Sequence, residues 1–103
     1  MPIAIDQDQS LYLVRLEGAI TISCAAELKQ CLLEGLASRK DLQVDLEQAS
    51  ALDITAMQLL WAARRQSERT GKSLTTAGAL PGHISAAIRE AGMEGLGFPS
   101  LQK

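Results

Sequence analysis

Aromatic residues are scarce: Tyr12, Trp61 and Phe98 are the whole set, 3% of 103 residues. A chain of this length buries roughly 65% of its unfolded surface on folding. Aliphatic and alanine side chains must therefore fill the core, and a 47% apolar content supplies them. No charge of one sign dominates. Ten Lys and Arg stand against twelve Asp and Glu, mixed along the chain for a net charge of −2. That excludes the basic footprint of a nucleic-acid or anionic-membrane binder. Long apolar runs are missing too; the longest, Leu59 to Ala63, is far short of a membrane span. The opening Met1-Pro2-Ile3-Ala4-Ile5-Asp6 has no basic region leading into an apolar stretch, so no signal peptide is expected.

Reactive side chains are equally few. One histidine, His83, and two cysteines leave too few soft ligands for a metal centre. Cys24 and Cys31 fall on one predicted helix, roughly 10 Å apart along its axis, too far for a disulfide. They read as small buried hydrophobes in a reducing compartment, which implies a cytoplasmic protein. Asp45, Glu47 and Asp53 invite a divalent-metal reading, but the first two follow strand alternation and read as solvated strand-end residues. Ser23 and Ser50 lack a base and an orienting group, so no nucleophilic site is expected. No glycines form a phosphate-binding pattern. No catalytic residue, cofactor or metal is assigned.

The apolar pattern that is present describes an α/β domain. Ile3 and Ile5, a polar turn Asp6–Ser10, and Leu11–Glu17 with Tyr12, Val14 and Leu16 on one face predict a hairpin. Gly18 ends the second strand and Ala19–Thr21 leads out of it. Thr21 or Ser23 can cap a helix from Cys24 to about Ala37, in which Gly35 implies either close packing or fraying. Leu42–Leu46 alternates as a strand. A second helix runs from about Ile54 to Thr70 and stops at Gly71; Leu74–Ala77 is a short strand. Pro81 and Gly82 open a third helix with Ile84, Ala87, Ile88 and Ala91 inward and Gly92 as its stop. Leu96 and Phe98 close over the core. The expectation is one domain over residues 1–103, with 1–2 and 99–103 mobile. It has a mixed sheet of four to five strands and three to four helices, its parallel strands joined by right-handed crossovers.

The informative stretch is Asp45 to Gln66. Asp53 can cap the second helix, where its carboxylate meets orphan amides and the positive end of the dipole. Thr55 competes, since Thr55-Ala56-Met57-Gln58 fits a capping box. At 100° per residue, Ala56, Leu59, Leu60 and Ala63 face the sheet. Met57 and Trp61 fall toward the other side, beside Arg64, Arg65 and Glu68, and Ile54 lines up with them. The resulting strip, with Gln58 alongside, reads as a partner surface. The alternative is that Trp61 folds over Met57 and the arginine stems, or packs under the third helix.

Asp53-Ile54-Thr55-Ala56-Met57-Gln58-Leu59-Leu60 resembles the signature of the STAS domain: Asp, Ser or Thr, a small residue, Gly, then apolar residues opening a helix. This family is shared by anti-sigma factor antagonists and the cytoplasmic tails of sulfate transporters. The resemblance covers nearly the whole chain. Leu16-Glu17-Gly18-Ala19-Ile20 is similar to the family's second strand and its glycine, Ala25-Ala26-Glu27-Leu28 to its first helix. Ile88-Arg89-Glu90-Ala91-Gly92-Met93 is similar to its last helix and glycine stop. Two positions depart: Ile54 stands where regulated members carry the phosphorylated Ser or Thr, and Ala56 where they carry Gly.

The resemblance implies a non-enzymatic signalling or adaptor module in transcription regulation. Its partner, an anti-sigma factor of the serine-kinase kind, would bind at Asp53, Ile54, Thr55, Met57, Gln58 and Trp61. In regulated members phosphorylation releases that partner; Ile54 cannot accept phosphate, which leaves Thr55 as the neighbouring hydroxyl. The alternative is a STAS subunit of a larger assembly, a lipid-transport ABC system with its ATPase or a chemosensory cluster. A homodimer through the strip would also cover it. Neither nucleic acid nor membrane insertion is expected.

Overall fold

A computed structural model describes residues 3–71, 74–77 and 80–91. Strands β1 (Ile3–Gln7) and β2 (Leu11–Leu16) form the expected antiparallel hairpin, with Ile3 opposite Leu16 and Ile5 opposite Val14. Asp8 holds the turn: its Oδ1 accepts from the Ser10 and Leu11 amides at 2.8 and 2.9 Å. Those backbone bonds, Ser10 first, keep the Asp8 carboxyl below its ordinary pKa.

β4 (Asp41–Asp45) pairs parallel with β2, and β6 (Leu74–Ala77) pairs parallel with β4, giving the order β1-β2-β4-β6. Helices α1 (Ala25–Ala37) and α2 (Ile54–Arg69) follow β2 and β4 in sequence and pack side by side. Tyr12, Val14, Leu16, Leu42, Val44 and Leu74 are buried on one face of the sheet and share one core with Leu28, Leu32 and Leu60 from the helices. Alternation at period two delivers this: every second residue of β2 and β4 is buried, while those between are half-buried or, at Asp41, exposed. Burying each such Leu, Ile or Val contributes on the order of 1.5–3 kcal/mol as an upper estimate. On the opposite face Arg15 bridges three strands, 3.2 Å from Asp6 and 3.7 Å from Asp45.

Gly35 resolves to close packing. A Cβ there would lie 2.7 Å from Leu42 Cδ1 and 3.0 Å from Tyr12 Cδ1, so the last turns of α1 sit directly on the sheet. At Gly71 a φ of +75° lets the chain leave α2 in the left-handed conformation.

Two features depart from the sequence expectation. Gly18–Ile20 is a short strand, β3, rather than a lead-out, and it pairs parallel with β5 (Ala49–Leu52) as a second, two-stranded sheet. A φ of +74° at Gly18 turns the chain out of β2 into this second sheet. Segments of three and four residues are too short to display a period, and β5 buries only its two ends. The first helix is entered through a single 3₁₀ turn, Ile22–Cys24, instead of a capped α-helical start. α3 (Gly82–Glu90) packs against β5, with Ile84 and Ile88 buried in the same core. Gly92, Leu96, Phe98 and the ends 1–2 and 99–103, for which roles were expected, lie outside the described residues.

Candidate functional site

The start of α2 is assembled by the second sheet. The Asp53 amide donates to the Ile20 carbonyl at 3.0 Å, so the chain enters the helix locked to β3. Asp53 keeps extended backbone, and its Oδ1 accepts from the Ala56 amide at 2.9 Å. Asp53 therefore caps the helix, one of the two alternatives the sequence left open. Its carbonyl takes the Met57 amide at 3.0 Å and begins the helical ladder. Ala56 is buried against the core, where a small side chain lets the first turn approach closely.

Three of the expected site residues emerge from this start as surface. Ile54 is 52% exposed, Gln58 is exposed and Trp61 is 39% exposed, while Thr55 is partly buried beside them. Met57 departs from the expected strip: it is 3% exposed and belongs to the core. The four-stranded sheet alone would claim an arc centred on Ala56, Leu60 and Ala63. β3, β5 and α3 extend the same core to Ile20, Leu52 and Ile84, and the wider arc takes in Met57. The surface strip is Ile54, Gln58 and Trp61, with Met57 beneath.

Trp61 is partly covered by an arginine. The Arg65 guanidinium sits 5.0 Å from its ring centroid, a cation–π arrangement, while Arg64 pairs with Glu68 at 3.3 Å. The ring is thus braced by Arg65 while 39% of the residue stays exposed.

Sequence reasoning missed Ile22. Ile20 pairs with Leu52 at the end of the β3–β5 ladder, and both chains then turn into helices. Ile22 and Ile54 accordingly stand at neighbouring helix starts, and Ile22 is 70% exposed. An isolated isoleucine between Thr21 and Ser23 gave no periodic signal. A second apolar feature, an open groove of about 450 Å³, runs between α1 and α2 past Leu32, Leu33, Leu36, Leu59 and Ala63.

The remaining candidates are engaged elsewhere. Asp45 faces Arg15, and its Oδ1 accepts from the Glu47 amide at 2.9 Å. No group of three or more His, Cys, Asp or Glu that could hold a metal ion occurs among the described residues. Ser23 Oγ lies 2.8 Å from Thr21 Oγ1. His83 is exposed but places Nε2 3.0 Å from the Ala49 carbonyl, tying α3 to β5. Cys24 and Cys31 are both free thiols; burial, then Glu27 and Glu34, pushes the Cys31 thiol up, away from the reactive thiolate. No helix among the described residues is long and apolar enough to cross a membrane.

Solved structures share this architecture. The phosphorylated form of SpoIIAA, a Bacillus cell-fate determinant, superposes with a TM-score of 0.71 at 10% identity, covering 98% of this chain and 92% of that one. A variant of RsbS from Moorella thermoacetica gives 0.76 at 17% identity, over 100% and 88%. A sulfate transporter family protein from Wolinella succinogenes gives 0.69 at 22% identity, over 87% and 74%. At such identities these likenesses establish the fold alone. No curated protein sequence matches significantly. The sequence model described as "Mlab, STAS domain" matches residues 3–101, nearly the full length of the chain, and with that match the chain belongs to the STAS domain family.

Proposed function

We propose that this STAS domain is a non-enzymatic cytoplasmic docking module of the anti-sigma factor antagonist kind, which binds a protein partner through the start of α2 without a phosphate switch at position 54. The observation that carries the reading is the exposed Ile54 side chain, held on a helix start that Asp53 caps and the Ile20 carbonyl anchors. In the family signature that position belongs to the phosphoacceptor; an isoleucine offers apolar contact there and no hydroxyl. Gln58 and Trp61 continue the surface, and Met57 supports it from inside. An apolar pair flanked by polar groups on a rigid element is the form a binding hot spot takes.

Thr55 carries a hydroxyl beside the strip. A phosphate on it would suit the helix N-terminus electrostatically, yet would place charge and bulk against Ile54 and weaken a contact there. Incubation with an anti-sigma serine kinase and ATP, followed by intact-mass analysis, tests the switchless reading. Wild type is expected to stay unmodified, whereas Ile54→Ser regains an acceptor and takes one phosphate. A phosphate on wild-type Thr55 that weakens partner binding overturns it.

A second reading is a STAS subunit that holds together a larger assembly, an ABC system or a chemosensory cluster. It is favoured by the same Ile54, because such a role needs no phosphate. Co-purification separates the two: a transporter ATPase favours the second, a small kinase-like anti-sigma factor the first.

A further inference from the structure

We propose that a second copy of this chain covers the α2 strip when no other partner does, the two helices crossing antiparallel about a twofold axis between Gln58 and Trp61. The proposal shares the surface assigned above to a partner but does not depend on that assignment. It rests on how apolar area and charge are distributed along one helix. Ile54, Gln58, Trp61 and Arg65 are all exposed and recur at spacings of three or four, which makes one continuous stripe. Asp53 stands at one end of that stripe, its Oδ1 taking the cap bond. At the other end are Arg64, Arg65 and Arg69 against the single acid Glu68.

Such a stripe is self-complementary in one orientation. Run antiparallel, Trp61 of each copy lies over the other's Gln58 and Ile54, and Arg65 comes alongside the other's Asp53 and Ile54. Opposite charges meet, and the helix dipoles oppose. Run parallel and in register, arginine would face arginine, a repulsive arrangement. Arg65 already stands over the Trp61 ring, so part of the cost of ordering both side chains is met within the monomer. Ile22, exposed at the neighbouring helix start, widens the apolar end of the patch. A contact limited to one helix face and its flank stays below the roughly 1,200 Å² of a standard stable interface. The dimer is accordingly weak and exchangeable, which would let another partner compete for the same face.

Sedimentation equilibrium of the purified full chain, from micromolar to millimolar concentration and at low and high salt, tests this. The expected result is a monomer–dimer equilibrium that loosens as salt is raised. Trp61→Ala and Arg65→Glu should each weaken it by about tenfold or more. Asp53→Asn, which keeps a good cap while removing the charge, should weaken it several-fold with an unchanged circular dichroism spectrum. A monomer at every concentration overturns the proposal. So does a dimer indifferent to Trp61→Ala and Arg65→Glu. Either failure leaves partner docking untouched, because that is read from binding of the heterologous protein.

Discussion

The two helices that cover the sheet are held in place at opposite ends. α1 begins in a 3₁₀ turn with no side-chain cap, Thr21 and Ser23 spending their hydroxyls on each other. Its fixed end is the last two turns, where Gly35 lets the backbone rest on Leu42 and Tyr12. α2 is fixed at its first turn instead, by the Asp53 cap, the amide bond to Ile20, and Ala56 and Met57 in the core. Ile22 and Ile54 are both exposed at these helix starts, but only Ile54 stands on a start whose backbone is pinned on both sides. The proposed docking surface needs that definition, and α2 has it where α1 does not.

Substitutions at the two fixed ends and the two starts should differ in cost. The largest effect is expected inside α2's fixed end: Met57→Ala should cost about 2–5 kcal/mol in denaturant unfolding. Trp61→Ala, one turn on and at the surface, should cost far less while removing partner binding. Next comes α1's fixed end, where Gly35→Val must displace Leu42 or Tyr12 and should cost about 1–3 kcal/mol. Asp53→Ala should cost about 1 kcal/mol through loss of the cap, with Asp53→Asn nearly neutral. At α1's uncapped start, Ser23→Ala should stay within about 0.5 kcal/mol. A loss there comparable to that of Asp53→Ala would erase the distinction between the two starts.

Tyr12, beneath Gly35, adds a pH signature to the α1 side. Burial first, then the Glu34 charge, raises its phenol above the ordinary 10.0, so the folded state holds the proton more tightly than the unfolded one. Stability from this source is complete below that ordinary value and is lost as pH rises through the raised one. Unfolding midpoints measured on the alkaline side should fall for wild type and fall less for Tyr12→Phe.

Much of this was legible in the residues. Alternation in Leu11–Glu17 and Leu42–Leu46 announced the central strands, and Asp53 announced the start of α2, because both signals are local. Gly35 left close packing and fraying both open; only the approach of Leu42 and Tyr12 decides between them. The β3–β5 ladder left no period to read, since neither strand exceeds four residues. Met57 was misplaced for the same reason. A helical wheel knows the direction of a residue but not how far the core extends around it, and here an unseen second sheet extends it. Ile22 was overlooked because exposure of a lone apolar residue is a tertiary fact.

On the proposed reading, α2's start, rather than the leucine-lined groove between α1 and α2, is the docking surface. Binding of the co-purified partner should be measured by calorimetry for wild type, Ile54→Lys, Trp61→Ala and Leu33→Ala, the last altering an exposed groove residue. Ile54→Lys and Trp61→Ala should each weaken binding by about tenfold or more while Leu33→Ala leaves it unchanged. Loss of binding in Leu33→Ala, with Ile54→Lys and Trp61→Ala binding as wild type does, would contradict it.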